Sequence, residues 1–267
     1  MSVLEAQSIS KHFGGIRALD GVSISVEAGT ITSLIGPNGA GKTTLFDCLT
    51  GIREPEEGRV FLDGVDVTHL ETHERARRGM GRTFQRLEVF SGLTVRENLQ
   101  VAAESARRRI ALRDIFELRH RADPVVLEEV DATLDELDIA WAARRQAGDL
   151  PTGVLRIVEL GRALCARPRV MLLDELASGL DEQETESLGR ALRRLAESGI
   201  GILLIEHDLA LVLALSSRIH VLDFGRIIAC GTPEDIVANP TVRAAYLGAE
   251  SPAPGECSAG VVGKVGS

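Results

Sequence analysis

Leu34-Ile35-Gly36-Pro37-Asn38-Gly39-Ala40-Gly41-Lys42-Thr43-Thr44 is the stretch whose reading decides the fold of this chain. Gly, four residues, then Gly-Lys-Thr is the spacing of a phosphate-binding loop, and the apolar run 31–35 leads into it as a strand would. Gly36, Gly39 and Gly41 let the backbone curl into a nest whose N–H groups point at phosphate oxygens. A helix beginning near Gly41 adds its positive N-terminal end. Lys42 supplies a mobile charge for the β- and γ-phosphates, and the Thr43 hydroxyl is a ligand for Mg²⁺. Pro37, Asn38, Ala40 and Thr44 complete the loop. A Gly-rich turn that binds nothing would not need the Gly-Lys-Thr ending, so the chain is expected to bind a nucleoside triphosphate.

The 267 residues are 44% hydrophobic, enough to bury a large core as one domain or as a domain with a subdomain. Against 30 Lys+Arg stand 39 Asp+Glu, a formal charge of −9. A generic nucleic-acid coat would carry the opposite sign. Lys11, Lys42 and Lys264 are the only lysines, so one of a scarce type stands in the phosphate loop. Cys48, Cys165, Cys230 and Cys257 are far apart, with no CxxC, and are expected as small buried residues in a reduced cytosolic compartment. His69 and His73 are four apart but have no third ligand near them, so no metal site is expected there. No signal segment opens the sequence. The longest apolar run is 209–215, whereas a membrane span needs roughly 20 residues. Any membrane part is expected on another chain.

Strands are expected at 3–9, 22–26, 31–35 and 59–62, with Asp63-Gly64 as a hairpin signal after the last. A helix is expected at 42–50. From 94 to 141 the pattern turns helical, with Val130, Leu134, Leu137 and Ile139 on an apolar face. Arg107-Arg108-Arg109 reads as a solvated or partner-facing helix end rather than a nucleic-acid contact. Beyond 155, helices and strands alternate: a helix to 165, a strand at 170–173, a helix at 182–197 and a strand at 200–205. A further helix and two short strands, 219–223 and 226–230, follow. That alternation indicates an α/β fold with a mainly parallel sheet covered by helices. No internal repeat is visible, and residues 249–267 are expected to be a disordered tail.

Val170-Met171-Leu172-Leu173-Asp174-Glu175 is an apolar strand ending in two acids. Asp174 is expected to hold Mg²⁺ through water, and Glu175 to orient or deprotonate the attacking water. A second apolar run, 202–205, leads through Glu206 to His207, which can hydrogen-bond a γ-phosphate from the sheet edge.

The order of the phosphate loop, Gln85, Leu150-Pro151-Thr152-Gly153, Asp174-Glu175, Ser178-Gly179-Leu180-Asp181 and His207 resembles the ATPase subunit of an ABC transporter, over roughly residues 1–248. The resemblance implies a phosphate-loop NTPase with a mainly parallel central sheet, an antiparallel N-terminal β subdomain and a helical subdomain at about 88–160. It implies ATP and Mg²⁺ as ligands. It makes Phe13 the aromatic that stacks on adenine, and Gln85 the glutamine that senses Mg²⁺ and couples to the membrane subunit. Asp181 resembles the acid linking the two ATP sites of a dimer, and His207 the switch histidine. Phe13-Gly14-Gly15, Gly36-Pro37-Asn38 with Thr44-Leu45-Phe46, the runs 81–85 and 89–99, and Ala245-Tyr246-Leu247-Gly248 are similar to the ATPases of branched-chain amino-acid importers.

The signature segment departs from the family's Leu-Ser-Gly-Gly-Gln, or the importer branch's Leu-Pro-Tyr-Gly-Gln: it reads Leu150-Pro151-Thr152-Gly153-Val154. Gly153 remains at a helix start, where its N–H can face a γ-phosphate. Leu176 replaces a proline common after the acidic pair. These departures leave open how strong the second half of a composite ATP site is. The resemblance implies a second ATPase subunit, two membrane-spanning permease subunits and a solute-binding protein as partners, at the cytoplasmic face of the plasma membrane, with no nucleic acid. The alternative is a soluble ATPase of the same family acting on nucleic acid or ribosomes. Translation-associated members resemble two cassettes in one chain, however, and only a short helical stretch separates Gln85 from Leu150 here, unlike the long coiled coil of repair proteins. A regulator with little hydrolysis is opposed by Glu175 and His207.

Overall fold

A computed structural model describes residues 1–83, 88–107 and 123–244. Strand β3 (Ile31–Ile35) is buried at all five positions and lies near the middle of a six-stranded sheet. The other members are β6 (Met80–Arg82), β7 (Val170–Asp174), β8 (Gly201–Ile205), β9 (Arg218–Asp223) and β10 (Arg226–Gly231), in the order β10-β9-β3-β8-β7-β6. Every pairing is parallel except β9 with β10. Strands β7 and β8 are also buried at every residue, as central strands covered on both faces must be.

Alternate residues of these strands feed different cores. Met171, Leu173, Ile202 and Leu204 pack with the helices α3 (Val95–Arg107), α4 (Pro124–Glu136), α5 (Thr152–Leu164) and α6 (Glu182–Glu197). Val170, Leu172, Leu203 and Ile205 face the other way, onto α1 (Lys42–Thr50) and a second sheet. That second sheet is antiparallel, with β1 (Ser2–Phe13), β2 (Ile16–Glu27), β4 (Glu57–Leu62) and β5 (Val65–Asp66) in the order β2-β1-β4-β5. A third cluster joins β9 to α7 (Leu209–Leu215) and α8 (Pro233–Ala238) through Val212, Val221 and Ile236. No helix among the described residues is long and apolar enough to cross a membrane.

Several elements depart from the sequence expectation. Strands β1 and β2 run well beyond 3–9 and 22–26, because register shifts and the positive φ of Ser8 (52°) break the alternation that marks a strand. The hairpin signal at Asp63-Gly64 joins β4 to the short β5, with Leu62 opposite Val65, whereas helix α2 (Thr72–Arg77) and β6 were not anticipated. Cys48 and Cys165 are buried as expected, but Cys230 is exposed on the edge strand β10. His69 Nδ1 lies 2.5 Å from a Glu54 carboxylate oxygen and His73 Nδ1 3.2 Å from one of Glu71. Gln85, Arg108, Arg109, Cys257, Ala245-Tyr246-Leu247-Gly248 and the expected tail 249–267 lie outside the described residues.

Candidate functional site

Strands β3, β7 and β8 end level, with Leu34 and Asp174 both in register with Ile205. Open α/β sheets bind ligands in the crevice outside such carboxyl ends. The phosphate loop leaves β3 there, and its glycines are required by space. A Cβ on Gly36 would lie 2.0 Å from the Leu222 carbonyl oxygen, and Gly41 combines φ +111° with the Ala18 carbonyl oxygen only 2.6 Å from a would-be Cβ. Helix α1 has no side-chain cap and no acid in its first turn, so no side chain of its own start occupies its N-terminal N–H groups.

Lys42 is 7% exposed, and its Nζ donates to the carbonyls of Gly36 at 2.7 Å and Pro37 at 3.0 Å. Burial lowers its pKa from the ordinary lysine value, opposed by the nearby Glu175 and Asp174 carboxylates. Asp174, 6% exposed, is shifted the other way: burial raises its pKa, the adjacent Glu175 adds to this, and Arg82 and Lys42 oppose it.

Glu175 holds a left-handed backbone, φ +52°, that non-Gly residues rarely adopt. Its N–H donates to the Ile205 carbonyl at 2.9 Å, and its Oε1 lies 2.6 Å from His207 Nε2. Glu206, which the sequence reading passed over, is 3% exposed, and its Oε1 accepts the Ala177 N–H at 2.8 Å. Burial, the largest influence, raises its pKa. It thereby ties the loop after Glu175 to the strand carrying His207. The only hint in the sequence was an acid placed directly after an apolar run. Leu176, where a proline was expected, is fully buried among the helices of the first core.

A cleft of about 200 Å³ gathers Asn38, Gly39, Gly41, Lys42, Thr43 and Thr44 of the loop with Asp174, Glu175 and His207. Ala18 also lines it, a contact no motif announced. Gly36, Pro37 and Ala40 form the back of the loop, where Ala40 accepts the Gly225 N–H at 2.9 Å. Phe13 does not line the cleft; it is 41% exposed at the β1–β2 turn, with the Arg53 guanidinium 5.2 Å from its ring centre. Gly153 and Asp181 do not line it either. They meet each other through Glu184, which accepts the Gly153 N–H at 2.9 Å and the Asp181 N–H at 3.2 Å. A larger groove of about 670 Å³ between α6 and α7 shares no residue with the cleft and has no phosphate-binding loop.

A sequence model described as ABC transporter matches residues 19–178, and one described as branched-chain amino acid ATP-binding cassette transporter matches residues 226–251. The chain is 41% identical over 249 residues to the high-affinity branched-chain amino acid transport ATP-binding protein BraF of Pseudomonas aeruginosa, covering 92% of this chain and 98% of that one. It is 38% identical to LivG of Escherichia coli, a protein of the same description, with the same coverage. Among solved structures it superposes on the ADP conformation of MJ1267, an ATP-binding cassette of an ABC transporter, with a TM-score of 0.82 and 34% identity over 93% of this chain and 99% of that one. A nucleotide-free ATP-binding cassette from an ABC transporter gives a TM-score of 0.79 at 34% identity, over 92% and 99%. With the phosphate loop, the paired acids and the histidine all in one cleft, the chain belongs to the ABC transporter family of ATP-binding proteins and groups with those of branched-chain amino acid transport.

Proposed function

We propose that this chain is the ATP-hydrolysing subunit of an importer for branched-chain or other hydrophobic amino acids. It works at the cytoplasmic face of the plasma membrane with a second ATPase subunit, two permease subunits and a solute-binding protein. One observation carries the ATPase reading: Lys42 and the uncapped α1 N-terminus face the Glu175–His207 pair across a single cleft. The amino-acid reading rests on the kinship with BraF and LivG.

Each residue then has a task. The α1 N–H groups and Lys42 hold the β- and γ-phosphate charge as it develops. The Glu175 carboxylate takes the proton of a water whose oxygen attacks the γ-phosphorus in line, while the bond to the β,γ-bridging oxygen breaks. His207 fixes the Glu175 carboxylate and reaches the γ-phosphate from the end of β8. Thr43 and Asp174 are hard oxygen donors in the same cleft and, with Gln85, would hold Mg²⁺, which offsets phosphate charge. Phe13 stacks on adenine. Gly153 and Asp181 serve the nucleotide held by the second subunit, which accounts for their place outside the cleft.

The deciding experiment is affinity purification from host membranes, with uptake of labelled leucine measured with and without this chain. Co-purified permeases and lost uptake are expected. Recovery with ribosomes or nucleic acid instead, with uptake unchanged, would overturn the transport reading.

A further inference from the structure

Helix α5 starts without a side-chain cap of its own, because its N-cap residue is Pro151. The missing anion comes from another helix. Glu184, in the first turn of α6, accepts the buried Gly153 N–H at 2.9 Å. Its fit is tight: a Cβ on Gly153 would stand 2.7 Å from three carbons of the Glu184 side chain. The same carboxylate accepts the Asp181 N–H at 3.2 Å, while Asp181 Oδ1 accepts the Glu184 N–H at 2.8 Å. Glu184 thus joins the α5 N-terminus to the loop that ends at Asp181. The contrast with α1, which has no acid in its first turn, is direct.

A helix N-terminus favours one anion, and a carboxylate placed there excludes a second by charge and by use of the N–H. We propose that Glu184 is a positioning residue that holds the α5 N-terminus until the γ-phosphate of a nucleotide on the second subunit displaces it, and so sets the ATP concentration at which the two subunits close. This rests on the two-subunit reading above. The side chain has somewhere to go, because the Asp181 N–H can keep it as an α6 cap after Gly153 is released.

The test compares Glu184→Gln, which keeps an acceptor oxygen but loses the charge, with Glu184→Asp, which keeps the charge. Both are placed in a Glu175→Gln background that holds nucleotide without turnover, and association is followed by light scattering as ATP with Mg²⁺ is raised. With Glu184→Gln the ATP concentration at half-association falls about threefold or more, whereas Glu184→Asp does not lower it. ATP binding to the single subunit, which uses Lys42 and its own loop, stays unchanged in both. A residue that merely capped a helix would weaken association when altered, not strengthen it. Half-association at the same or higher ATP with Glu184→Gln overturns the proposal while leaving the dimer reading intact. No association in any variant at saturating ATP overturns pairing with a second copy of this chain, and this proposal with it.

Discussion

His207 Nε2 lies 2.6 Å from Glu175 Oε1, joining the ends of β8 and β7 outside the sheet. A carboxylate only accepts, so the imidazole donates from Nε2. The bond spans 32 positions of sequence and rests on a strained residue, since Glu175 has φ +52°. Such strain persists only where the surroundings over-determine it. Here they are the Glu175 N–H to Ile205, the Glu206 carboxylate on Ala177 and the buried Leu176.

Glu175→Gln is expected to abolish steady-state turnover while ATP binding persists, because only the water-orienting carboxylate is lost. The loss of a positioned base is worth about 10²–10⁴-fold in rate. His207→Ala should also reduce turnover, with the Glu175 carboxylate left to wander, and the double variant should be no worse than Glu175→Gln alone. ATPase assays with nucleotide-binding measurements check this. Near-normal turnover in Glu175→Gln would remove that residue from the reaction.

Asp174 gives a prediction linking stability to function. Its folded-state pKa is raised above the ordinary value of 3.8, mainly by burial and then by Glu175. The ionised form therefore costs stability at pH values above the folded pKa, and the cost vanishes as pH falls below the ordinary value. Asp174→Asn should raise the melting temperature of the nucleotide-free protein at neutral pH, with the gain shrinking on acidification. The same change should abolish Mg²⁺-dependent turnover. An unchanged or lowered melting temperature at pH 7 would show that the charge is better compensated than its burial implies.

What the sequence disclosed, and what it hid, follows from the range of the interactions. The Gly-Lys-Thr spacing announced Lys42 and Thr43 as neighbours at the α1 N-terminus, where both line the cleft, because that turn is made of consecutive residues. Strands β3, β7 and β8 were legible because both faces are buried and the runs are apolar throughout. Strand β6 was not: Met80–Arg82 contains a glycine and an arginine, and it is a strand only because Met80 pairs with Val170. Helix α2 has no apolar stripe, its one buried side chain being Arg75. The link from Gly153 to Glu184 crosses 31 positions, and no local pattern announces it.

Arg75 is the largest fully buried side chain among the described residues, 1% exposed. Its guanidinium donates to the carbonyls of Leu70, Thr68, Cys48 and Leu49, the last two near the C-terminal end of α1. A cation there complements the negative end of the helix that carries Lys42. Arg75→Met, similar in reach but without donors, would remove these four bonds, although the Cys48 carbonyl keeps the Gly51 N–H at 3.4 Å. It should cost about 2–5 kcal/mol, seen as a lower midpoint in urea unfolding. A loss below about 0.5 kcal/mol would mean that water replaces the guanidinium.

The altered signature yields the last prediction. Pro151 is exposed, has no N–H and sits at the N-cap of α5 with φ −58° and ψ 154°, a backbone that serine adopts without strain. Val154, three residues further on, is partly buried and packs against the helical core, its side chain offering no hydrogen bond. In a two-subunit sandwich the Pro151 end of α5 faces the partner's nucleotide, so the isolated protein with Glu175 intact should hydrolyse ATP slowly and dimerise little, whereas Glu175→Gln, which does not turn its ATP over, should hold the pair longer. A hydrogen bond to a charged group is worth roughly 1.5–3 kcal/mol, so one new bond from a serine hydroxyl should strengthen ATP-driven closure by about tenfold or more. Pro151→Ser with Val154→Gln is therefore expected to raise both turnover and ATP-dependent association. A serine N-cap also steadies α5 by about 1 kcal/mol, but that gain appears in thermal stability without ATP and is subtracted by comparing melting temperatures. If neither turnover nor association rises, Gly153 and the helix end suffice by themselves, and a partner ATPase with a fuller signature is not needed to complete the site.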